Sequence, residues 1–373
     1  MSRPELVVDL DAVAANTRFF AARTSAQVMA VVKADGFGYG ALGAARTALA
    51  NGATALGVTS VEEALALRAG GVVAPVLSWL NPPDADLTGA VATGIELAVP
   101  SPEHLGGVLR AGAATRRVPS VHLHLDCGMA RDGCEPAAWS TLCRAAAAAE
   151  AAGRLEVVGV MGHLGCADDP GDACNRAGTD RFALGVAEAR GTGLAPRHRH
   201  LAATAATLTL PRTHHTMVRI GAGLAGIDPS GSVSLRGGLT LRAPLVAVRR
   251  IAAGDAVGYG HTWRAPRPTR LGLLALGYAD GLPRLASGRA EVQVRGVRRP
   301  VVGRISMDQA VVDLGELAAG PGETVVLFGP GDDGEPTVAD WACWAETIPH
   351  EIVTGIGPRV RRVDAATTLR RVG

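Results

Sequence analysis

Lysine is almost missing from this chain. Lys33 is the only one in 373 residues, so the lysine-plus-arginine total of 37 leaves 36 arginines. Aromatic residues make up only 3% of the sequence, with three tyrosines: Tyr39, Tyr259 and Tyr278. No apolar run is long enough for a membrane span, because much of the 47% hydrophobic content is alanine spread between charges. No membrane association is expected. The opening MSRPELVVDLDAV lacks a basic region followed by an apolar stretch and a cleavage site, so the expected location is cytoplasmic. Six cysteines show no CxxC pair and no histidine at zinc-ligand spacing. They are expected to be reduced structural thiols, and no metal site is expected. The formal net charge is only +2 and the arginines are scattered. Pairs such as Arg249-Arg250 and Arg361-Arg362 read as solvated faces, which argues against a nucleic-acid partner.

What is present is alternation. Between residues 5 and 235, short β-branched runs alternate with alanine-rich stretches of helical length. The predicted strands are Val28 to Val32, Ala53 to Val58, Val72 to Leu77, Ile95 to Val99, Val118 to Leu125, Leu155 to Met161, His198 to Ala202 and Met217 to Ile220. Ser101-Pro102 and Pro136 predict helix starts, and Gly153 predicts a helix end. Eight strand-helix repeats with strands apolar on both faces predict an α/β fold, a closed (β/α)8 TIM-type barrel over residues 11–236. Residues 1–10 read as a strand outside the barrel. From 237 to 373 the texture turns to β-rich segments separated by glycine and proline, which predicts a C-terminal mostly β domain with one helix over Pro336 to Ile348.

Lys33 follows five apolar residues, which places it at the carboxyl end of the first barrel strand, where barrel enzymes hold their chemistry. A partly desolvated lysine can lose its proton and attack a carbonyl to form a Schiff base, whereas a guanidinium stays protonated. Gly38-Tyr39-Gly40-Ala41-Leu42-Gly43 also fits the dinucleotide fingerprint G-x-G-x-x-G. The acidic residue that should end the next strand is absent, since that run leads into Thr59-Ser60. Each tyrosine lies beside a glycine, in GFGYG, VGYGHTW and LGYADG, a setting that presents a hydroxyl rather than filling a core.

AVVKADGFGYG, DCGMARDGC, MGHLGCADDP, MVRIGAG, GYGHTW, LGYADGLPR, GRISMDQ and EIVTGIGPRVRR occur in this order across the chain. Taken together they resemble the alanine racemase family, enzymes that use pyridoxal 5'-phosphate (PLP). The resemblance implies interconversion of L- and D-alanine, a small amino-acid substrate, and a head-to-tail homodimer of two-domain chains. It implies that Lys33 holds PLP and serves as base on one face of the α-carbon, with Tyr259 of the partner subunit on the other. Racemisation needs two such groups because a proton taken from one side must be returned from the opposite side. His163 is expected near the cofactor ring and Arg219 against its pyridine nitrogen. Gly221, Ala222 and Thr204 are expected at the phosphate. Arg131, Met307 and Tyr278 are assigned to substrate binding and the site entrance, and Asp308 to orienting a neighbour.

Several positions depart from the family pattern. Phe37 stands in place of a tyrosine, Ala203-Thr204 in place of Asn-Ser, Ala225 in place of a tyrosine, and His124 where many members have lysine. The chain closes on Arg359-Val360-Arg361-Arg362-Val363-Asp364 rather than Arg-Val-Pro-Arg-x-Tyr. Each missing phosphate-side hydrogen bond is expected to weaken the hold on PLP by about 1 to 3 kcal/mol. These departures motivate alternatives: a racemase for another amino acid, or a PLP-dependent decarboxylase of the same fold. A PLP-holding protein without turnover is a further alternative, against which Tyr259, Met307 and Asp308 argue.

Overall fold

A computed structural model describes residues 3–365. The chain divides into two compact units, one spanning Val13–Leu235 and the other built from the segment up to Ala12 and the segment from Arg236 onward.

The first unit is an eight-stranded parallel barrel. After β1 (Glu5–Val8), which belongs to the second unit, come β2 (Gln27–Val31), β3 (Ala55–Val58), β4 (Val76–Ser78), β5 (Glu96–Val99), β6 (Ser120–His124), β7 (Glu156–Met161), β8 (His198–His200) and β9 (Met217–Ile220). They pair in the order β8-β7-β6-β5-β4-β3-β2-β9. The Arg219 N–H donates to the Ala202 carbonyl at 3.0 Å and the Thr216 N–H to the Arg199 carbonyl at 3.2 Å, which ties β9 to the β8 segment and closes the ring. A closed barrel, with helices between successive strands, leaves no open-sheet crevice for a dinucleotide.

Most of the strands are shorter than their apolar runs. The largest difference is at β4, where the run begins at Val72 but pairing begins at Val76. Arg68 donates to the carbonyls of Val72 and Ala74 at 2.9 and 2.7 Å, so a side chain rather than a neighbouring strand satisfies this backbone. The helix signals match: Pro102–Thr115 starts from Ser101, whose hydroxyl accepts from the His104 N–H, and Pro136–Ala151 starts at its proline.

The barrel interior divides by chemistry. Met29, Ala55, Leu77, Ala98, Met161 and Met217 form one buried apolar cluster, with Trp79 packed against it. His122, His200 and Arg219 are buried as well, which is unusual in a space normally filled by branched aliphatics.

The second unit contains β1, β10 (Leu239–Ile251), β11 (Ala256–Val257), β12 (Trp263–Arg264), β13 (Thr269–Leu274), β14 (Glu291–Val294), β15 (Val297–Val302), β16 (Ala310–Gly315), β17 (Thr324–Phe328) and β18 (Arg361–Asp364). Its main sheet has the order β13-β16-β15-β14-β17-β10-β1-β18. The 13-residue β10 pairs with β1 and β17 along its first half and with β13 along its second, so the sheet curls back on itself. β1 runs antiparallel to β10 and parallel to β18. Its Glu5 accepts from Arg242 at 2.8 Å and from Arg361.

Two expectations need correction. The single helix expected over Pro336 to Ile348 is instead Val338–Trp344, followed by a separate helix Pro349–Thr354. Glu346 takes a left-handed φ of 53°, which ends the first helix, and Pro349 starts a new one. Nor are all six cysteines free: Cys166 and Cys174 form a disulfide, while Cys127, Cys134, Cys143 and Cys343 are free thiols. No CxxC signal marks this pair, because its members are eight residues apart. Among the described residues no helix is long and apolar enough to cross a membrane.

Candidate active site

Lys33 lies two residues beyond the end of β2, where the chain enters an unusual turn. Ala34, Asp35, Gly36 and Phe37 all take left-handed φ values, at 53°, 52°, 63° and 58°. Three of these residues carry a Cβ, so the conformation is costly and must be imposed by its surroundings. Glu63 accepts the Ala34 N–H at 2.8 Å, Asp35 accepts the Ala41 N–H at 2.9 Å, and the Gly40 N–H closes onto the Asp35 carbonyl at 2.9 Å. Lys33 is thereby held half-buried, with Nζ 6.0 Å from the centre of the Trp79 ring. Burial pushes its pKa down and the charges of Arg131 and Arg219 push it further, against an opposing pull from Glu63. A larger share of neutral amine is therefore available at any given pH.

Arg219, on β9, is 5% exposed. Its Nη1 donates to His200 Nδ1 at 3.0 Å and to the His200 carbonyl at 2.7 Å. Its Nη2 lies 2.7 Å from the Gly162 carbonyl, 3.2 Å from His163 Nδ1 and 3.2 Å from the Leu201 carbonyl. No carboxylate pairs with it among the described residues. Burial lowers its pKa to about 10, so it remains a cation at neutral pH. Every hydrogen bond uses a terminal nitrogen, which leaves Nε–H without a protein acceptor among the described residues. That N–H is therefore open to an acceptor that these groups do not supply.

His163 follows β7 by two residues, and burial followed by the charge of Arg219 lowers its pKa to about 3. Thr204 is buried, and its hydroxyl oxygen accepts the Gly223 N–H at 3.0 Å. That bond ties the start of one helix to the 3-10 turn Ala222–Ala225. Gly221 packs against the Phe37 ring so closely that an added Cβ would lie 3.0 Å from Phe37 Cζ. The Tyr39 hydroxyl donates to the Ala225 carbonyl at 3.1 Å, so this buried tyrosine braces the same turn.

Arg131 is exposed at the tip of a closed loop. Asp126 Oδ1 accepts the N–H groups of Gly128, Met129 and Ala130 at 2.8, 3.0 and 3.2 Å, and the Asp126 N–H donates to Cys134. His124 is buried 3.5 Å from Asp132, and burial brings its pKa to about 4.

The remaining predicted residues belong to the second unit. Tyr259 is 71% exposed on a turn between Gly258 and Gly260, whose φ values are 71° and 72°. Tyr278 and Met307 are also exposed. Their loops are joined by the Tyr278 N–H donating to Ser306 and the Ala279 N–H to Met307, each at 3.0 Å. Asp308 pairs with Arg359 Nη1 at 2.8 Å, while Arg359 Nε reaches Asp280 at 2.8 Å.

Sequence reading missed Glu63, Trp79 and Asp126. Glu63 reads as an ordinary helix residue completing a capping box with Ser60, and only the fold shows that it also fixes the lysine turn. Asp126, in DCGMARDGC, carried the clearest overlooked signal, a carboxylate followed by small residues able to turn back onto it.

The buried histidines predict acid sensitivity. His124, His163 and His200 all have lowered pKa values, the last pushed well down by burial. The unfolded chain therefore binds protons that the barrel refuses. The stability is fully present above about pH 6.5 and is lost as pH falls towards the folded values, at about 1.4 kcal/mol per pH unit for each histidine. Thermal melts of the cofactor-free protein should fall by at least about 5 °C between pH 7 and pH 5. A flat profile would contradict the neutral assignment.

Comparison with known proteins adds to this geometry. Residues 8–229 match the family described as alanine racemase, N-terminal domain, and residues 238–364 match alanine racemase, C-terminal domain. An alanine racemase of Thermobifida fusca is 46% identical over 363 residues, covering 96% of this chain and 97% of the relative. The crystal structure of alanine racemase from D-cycloserine producing Streptomyces lavendulae has a TM-score of 0.95 at 44% identity, covering 98% of this chain and 97% of that one. A Bartonella henselae alanine racemase with covalently bound pyridoxal phosphate has a TM-score of 0.87 at 26% identity, over 98% of this chain and 100% of that one. With both halves matched at this coverage and identity, the chain belongs to the alanine racemase family.

Proposed function

We propose that this protein uses PLP to interconvert L- and D-alanine, with Lys33 of one subunit and Tyr259 of the partner subunit acting on opposite faces of the α-carbon. The observation that carries the reading lies within the barrel. A half-buried lysine with a lowered pKa shares one end of it with a buried, carboxylate-free arginine whose Nε–H lacks a protein acceptor among the described residues.

The donor set fits the cofactor. Lys33 supplies the amine that holds it, Arg219 a donor for its ring nitrogen, and Thr204 with the backbone at Gly221 and Ala222 the phosphate end. The Phe37 ring occupies the space that a Cβ on Gly221 would need. When bound, the cofactor supplies an electron sink that makes the α-proton of an amino acid removable. Arg219 remains a donor at neutral pH and so keeps the ring nitrogen an acceptor, which restrains that sink and limits side reactions such as transamination. His163 is neutral and turns Nδ1 towards Arg219.

Lys33 would take a proton from one face of the α-carbon, and the partner's Tyr259 would donate one to the other. The exposure of Tyr259 supports a role completed only by assembly, as does that of Tyr278 and Met307 at the entrance. A head-to-tail homodimer satisfies both. Arg131 meets the substrate carboxylate, and Asp308 acts through Arg359. A cytoplasmic setting belongs to the same reading.

The test is chirality. The PLP-loaded protein in deuterated water should erase the optical rotation of either alanine enantiomer while placing one deuterium at the α-carbon. It should turn over alanine at least about tenfold faster than other amino acids, the margin that a misfitting side chain typically costs. Release of carbon dioxide, or preference for another amino acid, would establish one of the alternatives named above.

A further inference from the structure

The polar half of the barrel interior is a single hydrogen-bonded row that continues well past the site. Glu96 Oε2 lies 2.8 Å from His122 Nε2. His122 Nδ1 lies 2.8 Å from His200 Nε2. His200 Nδ1 lies 3.0 Å from Arg219 Nη1. The row starts at the first residue of β5, crosses β6, and ends on β8 and β9. His122 and His200 are fully buried.

Chemistry fixes every proton in this row. A guanidinium nitrogen only donates, so His200 Nδ1 must accept, and the His200 proton sits on Nε2. That N–H donates to His122, so His122 Nδ1 must also accept, and its proton sits on Nε2 facing the Glu96 carboxylate. Only an acceptor can end such a row, and a carboxylate is the strongest one available. Reversing the direction would set two N–H groups head-on at Arg219. The row therefore cannot carry a proton to the site, because its inner end never gives one up. What it can do is hold one tautomer and one guanidinium orientation.

The barrel is built around it. Gly159 on β7 pairs in register with His122, and an added Cβ there would lie 2.1 Å from His122 Nδ1. Burial raises the pKa of Glu96, but the hydrogen bond from His122 and nearby positive charge such as Arg197 outweigh that and leave it below the ordinary range. His198 lies alongside with its ring parallel to His122, 5.9 Å away.

We propose that Glu96 and His122 are positioning residues for the reaction: through His200 they hold Arg219 with its remaining donor facing the cofactor ring. The inference rests on the function proposed above, but its first readout does not depend on turnover. In 15N-histidine spectra of the wild-type holoenzyme, His122 and His200 should both carry the proton on Nε2, with Nδ1 bare. Glu96→Leu takes the acceptor from the His122 Nε2–H while Arg219 still fixes both tautomers, so it should shift the 15N signal of His122 Nε2 and lower kcat by about 10- to 100-fold, the usual effect of removing a group that orients a binding residue. Glu96→Gln keeps an acceptor for His122, so it should keep the wild-type tautomers and stay within about threefold of wild-type kcat.

A wild-type protein with His200 protonated on Nδ1 would overturn the proposal even if Glu96→Leu failed to fold. So would a folded Glu96→Leu variant with an unchanged His122 Nε2 signal and an unchanged rate. A wild-type holoenzyme that shows the expected tautomers but does not racemise alanine would instead count against the proposed function alone.

Discussion

Lys33→Arg should abolish alanine racemisation, lowering the rate by more than about 10^4-fold, because it removes the covalent hold on the cofactor and a proton-transfer group together. Charge is conserved by this change, and a lysine retained only for charge would tolerate it. The physical difference is the proton. Burial and the nearby arginines already press the Lys33 amine towards its neutral form, whereas a guanidinium under the same pressure stays charged, as Arg219 does at about 10. Borohydride reduction of the PLP-loaded wild-type protein should leave its label on the peptide containing residue 33, and the arginine variant should carry none. Melting temperatures within a few degrees of each other would show that the fold survives. Retention of more than one-hundredth of the wild-type rate would remove Lys33 from the mechanism.

Tyr259→Phe should produce a different kind of failure. It removes one hydroxyl from a residue that is 71% exposed in the isolated chain, so the fold should be unaffected. The loss in racemisation should be about 10^2- to 10^4-fold, the usual worth of a positioned acid-base group. Exchange should survive on one side only. The enantiomer whose α-hydrogen faces Lys33 should still trade it for solvent deuterium with retained configuration, while the other enantiomer should barely exchange. Equal residual exchange from both enantiomers would mean that a single base serves both faces.

How much of this could be read in advance differs between the units. The barrel was legible because a parallel strand buried on both faces writes itself as an apolar run, and each run is followed by helix-starting residues such as Ser101-Pro102. Strand ends were less legible. At β4 the deciding factor was Arg68 reaching across to Val72 and Ala74, a tertiary contact without a local signature. In the second unit the long strand Leu239–Ile251 is legible in LTLRAPLVAVRRI, whereas β18 is not, because Arg361–Asp364 alternates exposed and half-buried residues without an apolar signal.

The site shows the same division. Lys33 and the tyrosine of GYGHTW stood out by rarity and setting, whereas the residues that hold them were hidden. Glu63 is 29 residues from the Ala34 N–H it accepts, and Glu96 is 26 from His122. Such partners are chosen by barrel closure, and a linear pattern cannot announce them. Phe37 is the instructive departure. Lacking the usual hydroxyl, it lays its ring against Gly221 and takes a left-handed φ of 58°. The turn that presents Lys33 is therefore kept without that hydroxyl.

The central claim is that one working site draws Lys33 from one chain and Tyr259 from another, and co-expression of two inactive variants tests it directly. In a mixed dimer of Lys33→Ala and Tyr259→Phe chains, one site would hold both wild-type residues and the other neither. With random pairing, about one quarter of the wild-type activity should return. If the mixture is no more active than either variant alone, the two residues do not meet across a dimer, and the two-face account fails with them.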